Sequence, residues 1–183
     1  MKTIVLIGAS GSGKSTIERE LSIHYDYKKI IKYTTRQPRD GEVNGKDYYF
    51  INNETFEDML KDELFAEYEE YSQGRFYGTL KADYADPNEN KVVVLTPGGF
   101  RQLLRTVSRD NFFAVLVEAN LGTRVKRYIN RCDDFDYDDM NEINARVNRD
   151  FGMFLGVEKD VDLILQNNDG TRIKDLISEI QNG

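Results

Sequence analysis

The chain opens with Thr3-Ile4-Val5-Leu6-Ile7, an uninterrupted β-branched, apolar run of the kind that forms a strand buried on both faces. A Gly/Ser-rich segment follows, after which Ile17 and Leu21 recur four apart and predict a helix over about 15–25. Residues 29–33 predict a second strand, 47–51 another, and 65–79, rich in Tyr, Phe and Glu around Gly74, a hairpin. Asn53 is placed to cap a helix carrying Phe56, Met59 and Leu60. Residues 92–95 and 112–117 read as buried strands separated by a helix near 99–107. Helices over 121–131 and 140–155, a strand at 162–165 and a closing helix over 171–181 complete the series. Strands that alternate with helices predict an α/β fold, a parallel sheet flanked by helices. The segment 33–90, polar, aromatic and punctuated by Pro38, Gly41 and Gly45, breaks that rhythm; a small subdomain over the sheet's C-terminal edge is expected there.

Composition narrows the chemistry. With 183 residues the chain has the size of a single domain, and its net charge of −7 argues against a surface devoted to nucleic acid. One cysteine, Cys132, forms no internal disulfide, and the one histidine, His24, is remote in sequence, so a Cys/His pair or zinc site has little to be built from. Met1-Lys2 leads directly into the first strand, and no apolar run reaches membrane-spanning length. The expectation is a cytoplasmic monomer or homodimer acting on small molecules, with no membrane or nucleic-acid partner.

The segment Gly8-Ala9-Ser10-Gly11-Ser12-Gly13-Lys14-Ser15-Thr16 carries the first chemistry. It matches G-x-x-x-x-G-K-[ST] between a predicted strand and a predicted helix, the setting of a phosphate-binding loop. Small residues let backbone N–H groups turn toward phosphate oxygens at a helix N-terminus. Lys14 would neutralise β/γ-phosphate charge, and the Ser15 hydroxyl would be the ligand of Mg²⁺. A nucleoside triphosphate, ATP, is the expected cofactor.

The second constellation is Thr34-Thr35-Arg36-Gln37-Pro38-Arg39-Asp40-Gly41-Glu42-Val43-Asn44-Gly45-Lys46-Asp47-Tyr48, followed by Phe50. Arg36 and Arg39, three apart, can converge on one phosphate through their planar donor forks, with Tyr48 adding a hydroxyl. The string resembles the monophosphate loop of the guanylate kinase family, close to T-T-R-x-P-R-x-G-E-x-x-G-x-D-Y-x-F. The resemblance implies a P-loop kinase fold in one domain over 1–183: a core of about 1–32 and 91–183, a monophosphate-binding subdomain of about 33–90 and a lid of about 127–149. It further implies that Glu67, in Phe65-Ala66-Glu67, accepts from guanine N1 and N2. Tyr77 and Thr79, in Tyr77-Gly78-Thr79, would help hold the monophosphate. Arg131 and Arg146 match the lid arginines that fold over the transferring phosphoryl group, with Arg127 and Arg149 as weaker matches. Asn167 matches the adenine-edge asparagine, and Gln166 is the fallback if the register slips.

The pattern breaks at Leu95-Thr96-Pro97, where the family has a D-x-D-like pair that assists the metal and reads guanine. The magnesium shell would then rest on Ser15, water and phosphates. Glu69, Glu70 and the Thr96 hydroxyl are the candidates to substitute in reading the base. Lys32 stands where the family often has a small hydroxyl residue, and a cation there favours an acceptor-bearing group over guanine's donor edge. The acidic run Asp133, Asp134, Asp136, Asp138 and Asp139 is expected to be a solvated loop. The implied activity is phosphoryl transfer from ATP to GMP or dGMP. One alternative is another or a modified deoxynucleotide as acceptor; a further one is a non-catalytic binding module.

Overall fold

The computed structural model describes residues 2–72, 74–86, 88–131 and 137–183, and within these the side chains of 72, 137, 138, 142, 146 and 151 lie outside the description. The elements run β1 (Thr3–Ile7), α1 (Lys14–His24), β2 (Lys28–Lys29), β3 (Tyr33–Thr34), β4 (Tyr49–Phe50), α2 (Asn53–Lys61), β5 (Phe65–Ser72) and β6 (Arg75–Leu80). After these come β7 (Lys91–Leu95), α3 (Pro97–Thr106), β8 (Phe112–Glu118), α4 (Leu121–Ile129), α5 (Tyr137–Met153), β9 (Leu163–Gln166) and α6 (Ile173–Asn182).

The main sheet is parallel throughout, in the order β2-β7-β1-β8-β9. Strand β1 lies at its centre and every one of its residues is buried. Because side chains alternate across a strand, Val5 and Ile7 face one core with Leu95, Phe100 and Leu103. Ile4 and Leu6 face the other, with Ile17 and Leu21 of α1 and Leu176, Ile177 and Ile180 of α6. The predicted parallel sheet with helices on both faces is thus what forms. The order turns at β1, which places the loop after β1 where open α/β sheets leave a crevice beyond the strands' carboxyl ends.

The expected strand over 29–33 is divided between two sheets. Lys28–Lys29 pairs with β7, Ile30 drops into the core, and Tyr33–Thr34 joins a second sheet of order β4-β3-β6-β5. This second sheet has its own apolar centre: Phe56 of α2 stacks on Phe65 and Phe76 at ring separations of 4.4 and 5.1 Å. Asn52, and not Asn53, caps α2, its Oδ1 accepting from the Thr55 N–H at 2.8 Å.

A register shift between Phe65 and Glu67 re-aims β5. Phe65 and Tyr68 both lie against Phe56, so Glu67 and Glu69, paired opposite Thr79 and Tyr77, take the other face. That edge of the hairpin is fastened to α3 by a side chain that imitates a strand. The Gln102 amide donates to the Tyr68 carbonyl at 2.8 Å and accepts from the Tyr68 N–H at 3.1 Å.

Candidate active site

The loop between β1 and α1 holds a phosphate cradle in its backbone. Gly13 has φ 100°, the left-handed region, and a Cβ there would stand 2.2 Å from the Asn167 amide nitrogen. The α1 N-terminus carries no side-chain cap and no acid in its first turn. Among the described residues nothing accepts the backbone N–H of Gly13, Lys14 or Ser15, so these donors and the helix dipole are left for an anion.

Carbonyls of the same loop are held from behind. Arg124 Nε donates to Ser10 O at 2.7 Å, and Arg127 Nη1 donates to the carbonyls of Gly11 and Ser12 at 3.2 Å. Asn167 Nδ2 donates to Ser12 O at 2.7 Å, while Asn167 Oδ1 accepts from Arg127. Peptide planes are rigid, so pinning a carbonyl outward turns the next N–H inward. Asn167 is buried and braces the loop in this structure.

Lys14 donates from Nζ to Ala9 O at 2.9 Å. Burial pushes its ammonium down to about 8; Asp150 pulls it back up, while Arg124 and Arg131 push it the same way as burial. Asp150, on α5, reaches back over the loop, where its Oδ2 accepts from the Ser10 N–H at 3.2 Å and pairs with Arg124 Nη2.

A cleft of about 1200 Å³ joins this loop to the second sheet. Gly8, Ser10, Lys14 and Ser15 line one side, and Tyr48, Glu67 and Tyr77 line the other. Glu67 is only 3% exposed and accepts from the Thr79 hydroxyl at 2.9 Å, and the Thr79 oxygen lies 3.0 Å from the Tyr84 hydroxyl. Burial raises the Glu67 pKa, while Lys32 pulls it back. Thr79 is buried behind Glu67 and orients it.

Arg36 stands one layer behind the cleft wall. Its Nη1 and Nη2 form a fork on the Glu42 carboxylate at 2.9 and 2.8 Å, and its Nε donates to the Tyr77 hydroxyl at 3.2 Å. The fork raises the Arg36 pKa and lowers that of Glu42. The Tyr48 ring covers the guanidinium, its centroid 5.4 Å away. The Arg39 backbone N–H donates to Glu42 at 2.7 Å.

In the lid region, Arg131 is exposed on the small hollow beside Ser10 and Gly11, and Arg149 lines the main cleft. The Arg146 side chain lies outside the described residues, as do Cys132, Asp133, Asp134 and Asp136 and the side chain of Asp138. Glu18, Lys29 and Asp150 also line the cleft and were not singled out from the sequence. Glu18 lies one turn past Lys14 on the same helix face, with its carboxylate 3.6 Å from Lys29 Nζ. Leu95 is buried and Thr96 caps α3, so neither replaces a metal-binding acid. Among the described residues no group of three or more His, Cys, Asp or Glu could hold a metal by itself.

Comparison with known proteins places this geometry in a family. A family model described as guanylate kinase matches residues 1–181. The chain belongs to the guanylate kinase family. It is 37% identical over 140 residues to a guanylate kinase of Lactobacillus johnsonii, a match covering 73% of this chain and 67% of that protein. It is 36% identical over 150 residues to one of Lactiplantibacillus plantarum (79% and 69%) and 34% identical over 116 residues to one of Clostridium tetani (62% and 55%). The matches thus span between just over half and about two thirds of these relatives' own length. The crystal structure of guanylate kinase from Anaplasma phagocytophilum superposes with a TM-score of 0.69 over 99% of this chain and 82% of that one; at 21% identity the likeness is one of fold. Among the described residues no helix is long and apolar enough to cross a membrane.

Proposed function

We propose that the chain is an ATP-dependent nucleoside monophosphate kinase that converts GMP or dGMP to the diphosphate. The observation that carries this reading is one continuous cleft lined by Lys14 and Ser15 on one side and by Tyr48, Glu67 and Tyr77 on the other. Two anionic nucleotides must be held in line for such a transfer, and the two walls supply a donor site and an acceptor site.

In the reaction, an oxygen of the acceptor monophosphate attacks the γ-phosphorus of ATP. The new P–O bond forms as the bond to the β–γ bridging oxygen breaks, and ADP leaves with that electron pair. No general base is needed, because the attacking oxygen is already ionised. The free N–H groups of Gly13, Lys14 and Ser15 fit a polyphosphate, and the Ser15 hydroxyl, exposed at the loop's end, fits as the protein ligand of Mg²⁺. Bound Mg²⁺ would offset charge on the β- and γ-oxygens. Lys14 neutralises the donor phosphates. Tyr77, held by Arg36, and Tyr48 meet the acceptor phosphate, with Arg36 and Arg39 supplying positive charge behind them. Arg131, Arg146 and Arg149 are assigned to the lid side, where they balance charge on the transferring group and help exclude water.

The absence of acids at Leu95 and Pro97 favours one second reading, the same transfer to a different or modified deoxynucleotide. ADP formation assayed with a panel of ribo- and deoxynucleoside monophosphates separates the two. Turnover is expected with GMP or dGMP. A preference for another base selects the second reading, and no turnover with any acceptor, together with phosphopeptide binding, overturns the kinase assignment.

A further inference from the structure

The acceptor wall carries three charged groups that the reaction itself does not use. Glu67 and Glu69 project from the same face of β5, and both reach the first turn of α3. A Cβ on Gly98 would stand 2.3 Å from Glu69 Oε1, and a Cβ on Gly99 would stand 2.5 Å from Glu67 Oε2. The two consecutive glycines therefore make room for two carboxylates that no other residue type would admit. The N-terminal end of the α3 dipole favours negative charge there and offsets the mutual repulsion of the pair. Lys32 completes the set from the other side, facing the same cleft. Glu67 feels the charge of both Lys32 and Glu69, and Lys32 also acts on Glu18. Among the described residues, no side chain or backbone group hydrogen-bonds the Lys32 ammonium or the Glu69 carboxylate.

We propose that Lys32, Glu67 and Glu69 form a base-reading triad in which Glu69, supplied by strand β5, accepts from the exocyclic 2-amino group of guanine. The proposal rests on the acceptor-site reading above and names the residues that choose the base. Guanine's pairing edge presents an acceptor, O6, then two donors, N1–H and the 2-amino group. The triad supplies one donor and two acceptors, the set that this edge requires. The other common bases lack two adjacent donors on that edge and leave one carboxylate facing an acceptor or nothing. Lys32, which as an isolated cation argues against guanine, becomes its complement once the neighbouring carboxylates take the donors. Glu70 is not part of the set: its carboxylate is engaged by the Gly74 N–H, which donates to it at 2.9 Å.

Hypoxanthine keeps O6 and N1–H and lacks the 2-amino group, so IMP and GMP isolate the role of Glu69. Steady-state kcat/KM is measured for both acceptors at saturating ATP in the wild type, Glu69→Gln, Glu70→Gln and Lys32→Met. In Glu69→Gln, kcat/KM for GMP is expected to fall by about 10- to 100-fold, the loss of a charged acceptor, with much less change for IMP. In Lys32→Met both acceptors fall together and their ratio holds, because both carry O6. Glu70→Gln leaves the ratio at its wild-type value. ATP affinity measured by calorimetry in each variant reports that the donor half is still folded. An unchanged GMP-to-IMP ratio in Glu69→Gln, or a ratio change carried by Glu70→Gln, overturns the triad while leaving the kinase reading intact. A wild-type protein that phosphorylates no monophosphate overturns the kinase reading itself and the triad with it.

Discussion

The two walls of the cleft are built on different principles. On the donor side the ligand-facing groups are backbone N–H donors, and the side chains that matter, Arg124, Arg127 and Asn167, act from behind by pinning the carbonyls of Ser10, Gly11 and Ser12. On the acceptor side the ligand-facing groups are side chains, Tyr48, Glu67, Glu69, Tyr77 and Lys32, displayed on or beside the small second sheet. A backbone site is conserved in geometry by its glycines and braces and recognises any polyphosphate. A side-chain site can exchange its reading groups while the sheet that carries them stays the same. The difference teaches where identity would reside under the proposed reading: the donor half would set the reaction class, and the acceptor half the substrate.

The largest expected effect breaks the donor half alone. Lys14→Ala removes the cation of the loop, and kcat/KM should fall by about 10²–10³-fold or more with every acceptor, measured by coupled ADP release. Its melting temperature should not fall, because Lys14 is a buried cation that the fold holds at some cost. A loss confined to one acceptor would mean that the two halves are not separate. Next, Arg36→Lys breaks the acceptor half. Lysine keeps the charge and loses the fork that grips both oxygens of Glu42 while holding the Tyr77 hydroxyl. Misplacing Tyr77 is expected to lower kcat/KM for the monophosphate by about 10²-fold with ATP affinity unchanged. An equal loss of ATP affinity would place Arg36 in both sites.

A pH profile sharpens the same division. Lys14 sits at about 8 in the free protein, so above that pH the ammonium is lost and the loop binds polyphosphate less well. The sign is therefore a fall in kcat/KM for ATP of about tenfold per pH unit above pH 8. At saturating ATP the bound phosphates raise the lysine's pKa, and kcat should hold to higher pH. The acceptor's kcat/KM, measured with ATP saturating, should show no break near 8.

What the sequence disclosed follows the same line. The glycines, Lys14 and the buried strand before them are local signals, so the parallel sheet and its loop were legible from spacing alone. The split of 29–33 was not, since Ile30, Ile31 and Tyr33 read as one strand until Tyr33 is seen paired with Gly78 and Tyr49. The helix cap moved by one position because Asn52 and Asn53 are chemically identical neighbours. Glu18 was accessible to a helix-face argument, four residues after Lys14. The phase shift at Phe65/Glu67 that turns Glu67 and Glu69 off the face of Phe65 depends on pairing with β6 and leaves no mark in composition. Asp150 had no local signal at all: its partner, the Ser10 N–H, is 140 positions away.

That contact supplies the smallest and most discriminating test. Asp150 places a carboxylate on a loop N–H that faces the phosphate site, and its charge holds Lys14 up against burial. Asp150→Asn keeps the size and a weak acceptor and removes the charge. Two consequences follow in opposite directions. Below the Lys14 midpoint, where the lysine is charged in both proteins, ATP should bind tighter by a few-fold, about 1 kcal/mol of relieved repulsion. The midpoint itself should move below 8, because the Coulombic support for the ammonium is gone while the push from Arg124 and Arg131 remains. Calorimetric ATP titrations across pH read both. Tighter binding with a lowered midpoint identifies Asp150 as an internal anion that the nucleotide displaces. Weaker binding with an unmoved midpoint would instead make the Arg124–Asp150 pair a strut that the loop needs in order to hold its shape, and the donor half would then depend on the lid helix as much as on its own glycines.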